Sequence, residues 1–151
     1  MFGLATAVST SAAAATPRMP APQRLTRVIA FDFNGIRLSP PPKNVRPPVG
    51  PAEAWKVAAV RHASTYRLVL AQWHSAIPPG PSAPTQALVW LVFGTHVAVP
   101  NTGPIGSKGP AVFYETVMQP VDAATGLRFA TAAFPPKEVA GMGKDLRPYV
   151  G

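Results

Sequence analysis

The chain of 151 residues contains no cysteine. That excludes a disulfide framework, a thiolate metal site and a cysteine nucleophile. Acidic residues are scarce, six Asp and Glu against 14 Lys and Arg, which leaves little material for a carboxylate metal cluster or a general acid/base pair. Glu115 and Asp122 sit too close to local structural roles to serve as such a pair. Histidine is equally thin: His62, His74 and His96 are the neutral-pH bases, and no His-Glu-x-x-His pair occurs. Only if His74 and His96 met on neighbouring strands would a two-histidine site arise. No Gly-x-Ser-x-Gly elbow is present, and Gly103 to Gly109, though phosphate-loop-like in composition, lacks the Gly-Lys-Ser/Thr ending. No run reaches the roughly 18 uninterrupted apolar residues of a spanning helix. These absences predict a non-enzymatic protein without catalytic residues, cofactor or metal.

Proline and glycine are abundant, at 20 and 12 residues, and they gather in stretches that read as loops and tails. The formal net charge of +8 is uneven, with nine basic residues between Arg18 and Arg67 against Asp32 and Glu53. That imbalance favours polyanions, and Arg24, Arg27, Arg37, Lys43, Arg46, Arg61 and Arg67 are the candidate contacts. The same charges are scattered singly, as on an ordinary solvated surface. Residues 1–23 read as a leader followed by a Pro-rich spacer. Met1 to Thr16 is apolar and alanine-rich with Ala-x-Ala sites, as in a secretory signal, although no Lys or Arg precedes Arg18.

Residues 24–134 are expected to form a single domain. Ile29, Phe31 and Phe33 alternate onto one face of a strand, and Asn34-Gly35 is a type I′ hairpin signal. The same segment resembles the first motif of haloacid-dehalogenase-like phosphatases with Asp32 as nucleophile. The acid/base position is Asn34, however, and an amide shuttles no proton. Ser39 to Gly50 is a polyproline-II linker. Pro51 opens a helix whose face carries Trp55, Ala58, Ala59 and His62. Between Ser64 and Ala76 the pattern fits either a strand or a continuation of the helix, and helix then strand is preferred. Ala87 to Val99 reads as a central strand, apolar on both faces, with a bulge or bend at Gly94. Val112 to Val121 and Leu127 to Phe134 complete the sheet, and 135–151 reads as a flexible tail. The expected fold class is α+β, one helix packed on an antiparallel sheet of about four strands with disordered ends.

The most specific local signal is Asp122-Ala123-Ala124-Thr125-Gly126. The Asp122 carboxylate accepts nearby backbone N–H groups, Thr125 supports the turn, and Gly126 takes φ > 0 without strain. Val121 to Gly126, preceded by the apolar strand with Trp90, resembles the closing turn of small secreted domains of the PepSY type, over roughly Gly50 to Phe134. The resemblance implies a helix on an antiparallel sheet and a binding or inhibitory role at the cell envelope. The functional expectation is therefore an exported, monomeric domain that binds a protein or an anionic cell-envelope polymer. The alternative is a basic nucleic-acid-binding module.

Overall fold

The structure is a computed structural model and describes residues 17–31, 35–58, 60, 62–76, 85–100, 112–129, 131–134 and 141–150. Strands β1 (Pro22–Leu25), β2 (Ile29–Phe31) and β3 (Ile36–Ser39) come first, then helix α1 (Pro51–Val57). Three long strands follow: β4 (Thr65–Ser75), β5 (Gln86–Pro100) and β6 (Val112–Asp122). Short β7 (Ala132–Phe134), a 3-10 turn (Met142–Asp145) and β8 (Leu146–Pro148) end the described chain.

The expected helix on a four-stranded sheet is corrected by this architecture. Among the described residues the molecule is mostly sheet, eight strands curled into a half-barrel, with a single short helix. The path runs β2-β3-β4-β5-β6-β7, and β1 and β8 branch from it. β4 is long enough to share one edge between two partners. Residues 72–75 pair with β3 in antiparallel fashion, and 68–70 pair with β1 in parallel. β8 then lies antiparallel to β1. Helix α1 stops after 7 residues because Ala58 turns to extended backbone at φ −67°, ψ 140°. Beyond it the preferred order of helix then strand is seen, with β4 beginning at Thr65.

The sheet is buried on both faces. On one, Leu38, Trp73, Leu91, Phe93 and Met118 pack with Phe129, Met142 and Leu146. On the other, Leu68, Leu70, Trp90, Val92 and Val121 are covered by Val49, Ala54, Ala58 and Val60. Strict alternation along β4 and β5 supplies both sets, since neighbouring residues point to opposite faces. Gly94 is the expected irregular point: the β5–β6 register shifts between Gly94 and Val97. Its missing side chain also has a packing reason. A Cβ there would lie 2.6 Å from Val60 Cγ1 and 2.9 Å from the Ala63 Cβ. The segment after α1 thus lies directly on the sheet, and Trp55 meets Tyr66 edge-on with ring centres 5.3 Å apart.

Both ends depart from the expected tails. Pro22 and Gln23, taken as spacer, belong to β1. Residues 141–150, taken as part of a flexible tail, place Met142 and Leu146 in the core. Asp145 O accepts from both Thr26 N and Thr26 Oγ1 at 2.8 Å. The leader, Asp32 to Asn34, Arg61, the Gly103–Gly109 loop and 135–140 lie outside the described residues.

A candidate anion-binding cleft

The branch at β4 creates the one candidate site. Within β1, alternation sends Leu25 into the core and leaves Arg24 on the opposite face, where its register partner on β4 is Leu70. The segment before α1 passes over that face. Asn44 adopts φ 57°, and Val45 N donates to Pro42 O at 3.4 Å, so Pro41 to Val45 fold into a tight bend. From the other side β8 delivers Tyr149, whose N–H donates to Pro22 O at 3.0 Å. Between these three pieces lies an open cleft of about 270 Å³, with Leu70 among its walls.

Its walls are fixed by the core behind them. Tyr149 meets Trp90 edge-on, with ring centres 5.1 Å apart and planes at 82°. Trp90 Nε1 in turn donates to Val49 O at 2.9 Å, which anchors the segment preceding α1. Among the described residues, Arg24 and Lys43 are the charged ones lining the cleft, and no acidic residue lines it. Arg147 stands opposite Arg24 in the β1–β8 register, but its guanidinium donates back to Leu146 O and Lys144 O at 2.7 and 3.3 Å. The local field is therefore positive and uncompensated, a setting that concentrates anions.

Of the candidate polyanion contacts, the fold brings Arg24 and Lys43 together. The others are dispersed. Arg27, itself exposed, pairs at 3.6 Å with the largely buried Asp145. Arg37 is exposed on β3 opposite His74, and Arg46 is exposed beyond the bend. Arg67 reaches Gln23 Oε1 at 3.5 Å and lies against Gly143. Arg61 lies outside the described residues. Sequence reasoning missed Leu70, Pro148 and Tyr149 as lining residues. Tyr149 lay in a segment too short and too proline-flanked to carry a strand period.

The turn at Asp122 is built as a self-contained cap. Asp122 Oδ1 accepts from Ala124 N at 2.7 Å and Thr125 N at 3.3 Å, and Gly126 N donates to Asp122 O at 2.8 Å. Thr125 Oγ1 accepts from Leu127 N at 3.2 Å, and Gly126 takes φ +79°. With Oδ1 engaged in two backbone hydrogen bonds, the Asp122 carboxylate serves the turn.

The histidines do not converge. His74 pairs with Gln86 at one end of the β4–β5 ladder, and His96 follows Thr95 at the other, which pairs with Thr65. At about 3.3 Å per residue the two are tens of ångströms apart. His74 Nε2 is 3.3 Å from Ser39 Oγ, and His96 stacks flat on Tyr114 with ring centres 4.1 Å apart. Among the described residues no three His, Asp or Glu side chains come together as a metal site. Among them, too, no helix is long and apolar enough to cross a membrane. Comparison of the chain with protein-family models, curated proteins and solved structures gave no match.

Proposed function

We propose that the chain is a non-catalytic binding domain that acts, as an exported monomer, on an anionic partner at the cell envelope. The observation that carries this reading is the placing of Arg24 beside Lys43 in a cleft that no acidic residue lines among those described. A net charge of +8 adds long-range attraction for the same class of partner. The alanine-rich leader and the PepSY-like turn support the envelope as the place of action.

A binding assay with an anionic wall polymer, and in parallel with single-stranded and duplex DNA, tests the reading across a salt series. The wall polymer is expected to bind more tightly than DNA at every salt concentration, with affinity falling as salt rises. Tighter binding of DNA, with the steep salt slope of counterion release, would transfer the reading to nucleic acid. Binding to none of them at low salt would sink it. Mass spectrometry of the secreting host's culture medium should find a chain beginning near Thr16.

A further inference from the structure

The reading of the cleft can be taken further, from a general anion site to a ligand class. We infer that it seats one carboxylate attached to a small apolar body, either a free acid or the last residue of a peptide. This inference rests on the reading of the domain as a binder of anionic partners, and it adds the chemistry of the bound group.

The first part of the argument is a count of hydrogen-bond donors. Pro41, Pro42 and Pro148 line the cleft, and proline has no backbone N–H. The N–H groups of Val45 and Tyr149 are already spent on Pro42 O and Pro22 O. Arg24 and Leu70 lie within paired strands, so the ladder takes their main-chain groups. The Arg24 guanidinium and the Lys43 ammonium are the charged donors that remain, with the Asn44 side-chain amide as a neutral one beside them. That set suits a carboxylate, whose two oxygens accept well from a planar fork and a point charge. A phosphate presents more oxygens and is normally cradled by a longer run of successive backbone N–H groups, which here is cut short by Pro41 and Pro42 on one side and the engaged N–H of Val45 on the other.

The second part concerns the rest of the lining. Leu70, the proline rings, Val45 and the Tyr149 ring give the cleft an apolar wall beside its charges. A bare anion would leave that surface wet, whereas an alkyl or aryl group attached to it would cover it. The volume of about 270 Å³ equals roughly nine waters at their liquid spacing, which fits a single residue or a short acyl acid. Since Tyr149 is held by Trp90 and the bend by its prolines, little conformational freedom is lost on binding.

The test is titration of the full chain with hexanoate, hexanamide, acetate and inorganic phosphate, followed by amide chemical shifts and calorimetry. A tripeptide ending in leucine, free or amidated at its C-terminus, forms the second arm. Hexanoate or the free tripeptide should bind, shifting the amides of Lys43, Val45, Leu70 and Tyr149. Hexanamide, acetate, phosphate and the amidated tripeptide should be weaker by about tenfold or more, as expected for loss of a charge-assisted contact or of the apolar one. Whichever arm binds tighter identifies the source of the carboxylate. Arg24→Gln and Lys43→Gln, each confirmed as folded by circular dichroism, should each weaken the better ligand about tenfold. Equal binding of hexanoate and hexanamide, tighter binding of phosphate, no binding in either arm, or unchanged affinity in both variants would overturn the inference. The wall-polymer assay on the same proteins separates the two readings. Polymer binding without carboxylate binding removes the inference alone, and carboxylate binding without polymer binding removes the broader proposal alone.

Discussion

At Gly94 the sheet surface is lowered by one methyl group, and the chain leaving α1 settles into the space. Because Val60 Cγ1 and the Ala63 Cβ lie within 3 Å of where a Cβ would be, Gly94→Ala must push a backbone segment off the sheet. A loss of about 1–3 kcal/mol in urea unfolding is expected, the usual cost of overpacking a core. At Gly126 the cause is different. The nearest atom to an added Cβ is Val49 Cγ2 at 3.7 Å, so there is room, but φ is +79°. Gly126→Val should lose more than about 1 kcal/mol through backbone strain. Asp122→Asn keeps an oxygen for the N–H groups of Ala124 and Thr125 and should lose less than Gly126→Val in the same measurement. Comparable small losses in both variants would mean that the turn does not depend on its left-handed residue. The turn was legible in the sequence because its donors and acceptors lie within six consecutive residues, Asp122 to Leu127. The contact that makes Gly94 necessary was not, since Val60 and Ala63 are some thirty positions away in a segment that reads as helix.

Among the elements, the three long strands, the β2–β3 hairpin and the region of β7 were visible beforehand, and the end strands β1 and β8 were not. β4, β5 and β6 carry enough apolar residues for a pattern, and the irregularity at Gly94 was marked by the glycine itself. β1 and β8 span 4 and 3 residues, too few for a period of two to stand out. What makes them strands is the partner edge, which no local pattern encodes. The helix was overextended for a related reason: Ala58 stands at helical spacing from Trp55, but its backbone is extended and it packs with Val60 against the sheet. The candidate cleft inherits the same gap. Arg24 and Lys43 stood out by charge, whereas Tyr149 joins them only through the β1–β8 pairing. β8 is held by Leu146 in the core, 3 % exposed. Leu146→Ala should therefore cost about 2–4 kcal/mol in equilibrium unfolding, the range for truncating a buried leucine. A loss of a few tenths, as at a frayed terminus, would contradict the placement of this strand.

Taken whole, the molecule carries more positive charge than its contacts neutralise. Arg27–Asp145 is an ion pair at 3.6 Å between an exposed guanidinium and a carboxylate, a geometry that contributes little. With a net charge of +8, repulsion among the cations opposes the compact state. Raising sodium chloride from about 10 to 150 mM shortens the screening length from about 30 to 8 Å. The thermal midpoint should rise over that interval in calorimetry. A fall would mean that attractive pairs outweigh the repulsion.

The hydrogen bonds from Thr26 to Asp145 join positions 119 residues apart in the chain. β1 sits between β4 and β8, and β8 leaves the ribosome well after both β1 and β4. During synthesis, β1 can find its β4 partner while its other edge still waits for residues 146–148 to appear. Closing so long a loop comes late and is slow in folding, because its entropy is lost before the contacts form. Completion of the sheet therefore waits for residues 146–148, and a ribosome stalled before Leu146 would hold a chain with β1 open along one side.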